Sequence, residues 1–160
     1  MRDPLLDLKD KTAVVIGGTR GIGLALAKGL AQAGAAVVAT GRRAQQVLAA
    51  TGALEALGRR SLAVTCDVTD NASLDLLLRQ VSFTFGSVEI LVNCAGRTKR
   101  MPSREFPDAE WDAILETNLK GTRRACRVFG RHMIERRCGR IINIGSMIPI
   151  WLGACRTSLM

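Results

Sequence analysis

The sequence predicts an α/β protein built on one doubly wound parallel sheet. Strand-length apolar runs alternate with longer helical patterns along the chain. Those runs show no polar alternation, which is how strands buried on both faces read. No hairpin signal such as Asn-Gly interrupts the series. Repeats of this kind join parallel strands by right-handed crossovers and place helices on both faces of the sheet.

The elements follow in order. Thr12 to Gly18, TAVVIGG, is a β-branched run and the first strand. LALAKGLAQAGA is an Ala/Leu helix closed by Gly34, a residue suited to a C-cap. Ala36 to Thr40 is the second strand, and Ala44 to Leu57 a second helix stopped near Gly58. Ser61 to Val68, SLAVTCDV, reads as a third strand. A helix capped by Asp70 or Asn71 then runs through Phe85 to Gly86. Glu89 to Gly96 is a fourth strand, and Arg97 to Pro107 a loop with two prolines. One long helix covers Trp111 to about Arg136, and RIINIGS, Arg140 to Ser146, is a fifth strand. No repeat, low-complexity stretch or linker divides residues 1–160, so they form a single unit.

Composition narrows the function classes. Apolar content of 48% and charged content of 23% are those of a globular chain. No apolar run reaches the length of a membrane span, and the N-terminus is not a secretory signal. Five cysteines, odd in number and without a C-x-x-C pair, read as reduced thiols of a cytoplasmic protein with no metal framework. The net charge of +9 admits a nucleic-acid partner. The arginines are spread, however, and no aromatics interleave them, so a solvated basic face with a few arginines near a phosphate is the expectation. The lone His132 reads as a surface or helix-end residue, not a ligand.

GGTRGIG, Gly17 to Gly23, lies between the first strand and the first helix. Glycine lets the backbone turn tightly and approach a ligand closely. A helix starting near Ile22 aims free N–H groups and its positive end at that space, where a diphosphate fits. Gly17, Thr19, Arg20, Gly21, Ile22 and Gly23 are therefore candidate cofactor-binding residues. The spacing is G-x-x-x-G-x-G, and here the sequence resembles the short-chain dehydrogenase/reductase family, with Ile16 standing where that family often has Thr. The resemblance is to its 3-oxoacyl-carrier-protein reductase and gluconate dehydrogenase-like members. It implies a Rossmann-like sheet of five strands in the order 3-2-1-4-5.

The resemblance also implies a nicotinamide cofactor and carbonyl reduction or alcohol oxidation by hydride transfer. Members that prefer NAD usually carry an acidic residue at the end of the second strand; here that end reads VVATGRR, with Gly41 at the acidic position. Gly41 cannot repel a phosphate, and Arg42 with Arg20 suits a 2′-phosphate, so NADP(H) is expected over NAD(H). CDVTD resembles the family's Asp-Val segment and assigns Asp67 and Val68 to the adenine side. NCAG resembles Asn-Asn-Ala-Gly, giving Asn93, Ala95 and Gly96 to the cofactor cleft, with Cys94 replacing the second Asn. Asn118 in ETNLKG and Ser146 in IINIGS match the family's catalytic Asn and Ser.

The family's proton donor is a tyrosine followed four residues later by a lysine, about a dozen residues beyond the serine. This chain contains no tyrosine. The resemblance therefore implies an incomplete copy of the domain, catalytically deficient as given, with the family's homo-oligomer interface incomplete. Other readings remain: a non-catalytic dinucleotide-binding or interaction half-domain, and a basic nucleic-acid binder. A small-molecule carbonyl or alcohol is the expected partner, with no membrane and no nucleic acid.

Overall fold

The computed structural model describes residues 7–145. Ser146 and Cys155 lie outside the described residues. Four strands, β1 (Thr12–Ile16), β2 (Ala36–Thr40), β3 (Ile90–Asn93) and β4 (Arg140–Asn143), form one sheet in the order β2-β1-β3-β4. All three pairings are parallel.

Helices cover both faces. Along β1, Val14 and Ile16 point into a cluster with Leu74, Leu77, Ala125 and Phe129. Ala13 and Val15 point the other way, into a cluster with Ala27, Ala31, Ala50 and Leu54. The period of two in a strand sends neighbouring side chains to opposite faces, so a continuous apolar run feeds two cores. The first core is covered by α3 (Asn71–Phe85) and α5 (Thr122–Glu135), the second by α1 (Gly21–Gln32) and α2 (Ala44–Glu55).

The expected third strand needs correction. Ser61 to Val68 makes only one isolated parallel bridge, Gly41 with Thr65. The segment does lie beside β2: Val37 N–H donates to the Arg60 carbonyl at 3.1 Å and Cys66 N–H to Gly41 at 3.0 Å. Between them, hydroxyls take carbonyls that a ladder would reserve for backbone N–H groups. Ser61 Oγ donates to Val37 O at 2.7 Å, and Thr40 Oγ1 to Val64 O at 2.5 Å. The expected order thus holds for four paired strands, with this segment as a loosely attached edge.

The expected long helix is also divided. It opens as α4 (Asp108–Leu115) behind Pro107, widens into a π-helical turn over Glu116–Gly121, and resumes as α5. A Cβ on Gly121 would sit 2.6 Å from Val68 Cγ2, so the backbone itself packs against Val68. Two hydroxyls serve the loosened turn: Thr117 Oγ1 donates to Ala113 O at 3.0 Å and Thr122 Oγ1 to Asn118 O at 2.8 Å. At the N-terminus of α3, Asp70 is the cap, accepting from Ala72 N–H at 2.9 Å.

Candidate functional site

Above the carboxyl ends of β1 and β3 opens a cleft of about 490 Å³. This is where open parallel sheets bind ligands. One wall is the turn from β1 into α1. Gly17 has φ +81°, and a Cβ there would meet Ala95 N at 2.6 Å and Ala95 Cα at 2.7 Å. Only glycine combines that conformation with that approach. A Cβ on Gly23 would land on the Gly17 carbonyl, so the helix also packs onto the turn through bare backbone. Gly17 N–H and Gly18 N–H both donate to Thr40 O, at 2.8 and 3.1 Å, tying the turn to β2.

The first turn of α1 carries no side-chain cap and no acidic residue. Its N–H groups and positive dipole end therefore face the cleft that Thr19, Arg20, Gly21 and Ile22 line. An anionic diphosphate is the chemistry that such an end accepts. The residues present thus fit a dinucleotide.

A second wall comes from the end of β2 and the segment beside it. Gly41 lies against Thr19, since a Cβ at 41 would meet Thr19 Oγ1 at 3.3 Å. Arg42, Asp67 and Val68 line this side. Partial burial pushes the Asp67 carboxyl up. Hydrogen bonds from Thr69 N–H (2.9 Å) and Thr69 Oγ1 (2.8 Å), with the charge of Arg42, outweigh that and hold it below the usual carboxylate range. Asp67 Oδ1 is thus committed to its own turn. Sequence reasoning missed Arg43, Gln46, Cys66 and Thr117, which also line the cleft. Gln46 stands one helical turn beyond Arg43, a spacing that could have exposed it.

Ala95 and Gly96 form the third wall. The other expected residues divide. Asn93 is buried, and its side chain turns under the sheet, where Nδ2 donates to Asn143 Oδ1 at 2.8 Å and to Cys126 Sγ at 3.4 Å. It ties β3 to β4 and α5 and does not line the cleft. Asn118 sits in the π-turn with both amide atoms engaged: Arg97 N–H donates to Oδ1 at 2.9 Å, and Nδ2 donates to Arg97 O at 3.0 Å. The clamp holds the chain just after Gly96 against the helix. Ser146 lies outside the described residues.

Neither cleft thiol is poised to ionise. Burial pushes Cys66 up to about 11, against a hydrogen bond with Ser73 and with the charges of Asp67 and Asp70 adding to the rise. Burial also raises Cys94. Among the described residues no group of three His, Cys, Asp or Glu side chains could hold a metal, and no helix is long and apolar enough to cross a membrane. His132 takes the helix-end position expected, half-buried in the last turn of α5. Its Nε2 accepts Val88 N–H at 3.3 Å, joining α5 to the approach of β3.

Comparison with known proteins agrees with this geometry. The family profile described as short chain dehydrogenase matches residues 11–151. The chain is 38% identical over 143 residues to gluconate 5-dehydrogenase of Gluconobacter oxydans (strain 621H), covering 89% of this chain and 56% of that protein. It is 38% identical over 143 residues to the 3-oxoacyl-[acyl-carrier-protein] reductase FabG of Escherichia coli (strain K12), covering 89% and 57%. A crystal structure of a short-chain type dehydrogenase/reductase from Mycobacterium marinum superposes with a TM-score of 0.85 at 30% identity, covering 89% of this chain and 58% of that one. The chain thus spans less than two thirds of the length of each of these three proteins.

Proposed function

The chain belongs to the short-chain dehydrogenase family, and from that premise we propose that it is the cofactor-binding part of an NADP(H)-dependent oxidoreductase. The observation that carries this reading is the uncapped N-terminus of α1, flanked in one cleft by Arg20 and Arg42 with Gly41 in place of an acid. Two guanidinium groups bind a phosphate monoester bidentately, and no carboxylate at position 41 opposes it. When bound, the cofactor supplies the hydride acceptor or donor for a small-molecule alcohol or carbonyl.

The chain's own residues hold and orient. The α1 amides take the diphosphate. Arg20 and Arg42 take the 2′-phosphate, and Asp67 with Val68 borders the adenine. Asn118, anchored at both amide atoms, fixes the wall beside Gly96, and Ser146 hydrogen-bonds the substrate oxygen. These 160 residues contain no tyrosine, so we expect them on their own to bind cofactor without turnover, as a cytoplasmic protein. The family's tyrosine and lysine are needed to move the proton. Calorimetric titration with NADPH and NADH tests the reading. NADPH is expected to bind about ten-fold tighter or better, the scale of one charge-assisted phosphate contact. Binding of neither at millimolar concentration, or a preference for NADH, refutes it.

A further inference from the structure

We infer that the outer face of α3 and α5 docks on an anionic phospholipid surface, its arginines taking headgroup phosphates while Phe83 and Ile134 enter the interface. The two helices pack on the same face of the sheet. Both return from the carboxyl end of the strands to the amino end, so they run parallel and their outer sides form one surface. On α5, Ala125, Phe129 and Met133 are buried. Arg123, Arg127 and Arg131, each one turn from the next, are exposed on the other side. On α3, Leu74, Leu77 and Val81 are buried, and Leu76, Arg79 and Phe83 are exposed opposite them. The basic face expected from composition is thus gathered on one surface, and it is not purely polar. Phe83 is 94% exposed, and Ile134, in the last turn of α5, 77%.

Between the helices opens a cavity of about 420 Å³, walled by Asp75 and Leu78 of α3 and by Arg127, Arg131 and Glu135 of α5. It suits a headgroup, with the phosphate on the arginines and the two acids left for an amine or hydroxyl. No other acid stands on α5, and Glu116 before it is already held by Lys120 and Arg124. Charge therefore occupies the centre of this face, and apolar side chains its flanks. A protein interface has the reverse order, an apolar core inside a polar rim. A nucleic-acid backbone answers the arginines but offers no apolar phase to Phe83 and Ile134. An anionic bilayer surface meets both demands, attracting basic side chains and admitting apolar ones at the headgroup boundary. The expected absence of a membrane rests on the lack of a spanning segment, and no described helix is long and apolar enough to cross one; the contact inferred here is peripheral.

The test is cosedimentation of the 160-residue chain with vesicles of mixed phosphatidylglycerol and phosphatidylcholine, against vesicles of phosphatidylcholine alone. Binding is expected to the anionic vesicles only, and to weaken as salt is raised. The double variant Arg123→Gln, Arg131→Gln is expected to lose about five-fold in affinity for each charge removed. Phe83→Ser is expected to lose about ten-fold or more, the transfer of one aromatic side chain. All three side chains are exposed, and a parental urea midpoint shows that each variant is folded. Equal binding to the two kinds of vesicle, or parental binding by folded Phe83→Ser, overturns the inference. Tighter binding to a DNA duplex than to the anionic vesicles assigns the face to nucleic acid and overturns it too. A dimer that the arginine variant dissociates, without vesicle binding, assigns the face to a second copy with the same result. None of these readouts involves NADPH, so cofactor binding stands or falls separately.

Discussion

Replacing Gly17 by Ala isolates the contact on which the cleft is built. Two costs fall together at that position. Its φ of +81° is one that L-residues with a Cβ avoid, at about 1–2 kcal/mol. The new methyl would also lie 2.6–2.7 Å from backbone atoms of Cys94 and Ala95. Ordinary contact begins near 3.4 Å, so something must shift by more than half an ångström. The obstacle is the end of β3, pinned to β1 by the Ile16–Asn93 register and by Cys94 N–H donating to Ile16 O at 2.9 Å. Overpacking against such a wall costs about 1–3 kcal/mol, giving about 2–5 kcal/mol in all. Gly21→Ala is the internal control, because Gly21 has φ +53° but open space where its Cβ would go. It carries the backbone cost alone, about 1–2 kcal/mol. Urea unfolding of the two variants and the parent, without cofactor, reads the difference. If Gly17→Ala and Gly21→Ala are equally destabilised within error, the turn does not press on Ala95 and the cleft geometry described above is wrong.

Arg42→Gln is expected to weaken NADPH binding about ten-fold or more and to leave NADH binding nearly unchanged, as read by calorimetry. Asn118→Leu removes both bonds to Arg97; it should destabilise by about 1–3 kcal/mol and speed amide hydrogen exchange at Arg97. His132 makes stability depend on pH with a definite sign. Burial first, then the Arg136 charge, lowers its pKa, with Glu135 and Glu89 opposing, so the folded state favours the neutral ring that accepts Val88 N–H. That contribution is complete above the unfolded value of about 6.5 and is lost as pH falls below it, a trend in the urea midpoint that His132→Gln should flatten.

Local signals were readable and directional ones were not. The glycine turn announced itself because tight backbone approach can be met by few residue types, and Gly17, Gly21 and Gly23 stand where a strand passes into a helix. The two-faced core was readable from unbroken apolar runs. The direction of the Asn93 amide was not readable, because its residue type and place in NCAG do not say which face it takes; packing against Asn143 and Cys126 decides that. SLAVTCDV has the composition of a strand, yet the hydroxyls of Ser61 and Thr40 compete for the carbonyls that would have made the ladder. The π-turn left no periodic trace, since one surplus residue in a single turn leaves the local composition helical, and the Gly121–Val68 contact beside it joins residues distant in the chain.

That wide turn has a consequence for how the chain can vary. It takes up more chain per turn than an α-helix, so α5 is phased by the extra length. Each residue advances a helix by about 100°. Deleting one residue other than Asn118 or Gly121 from this stretch would therefore close it to ordinary α-helical pitch and leave Ala125, Phe129 and Met133 in the core, whereas deleting two would swing them round toward the solvent. The stretch has one residue of length to spare, but little freedom at Asn118 or Gly121.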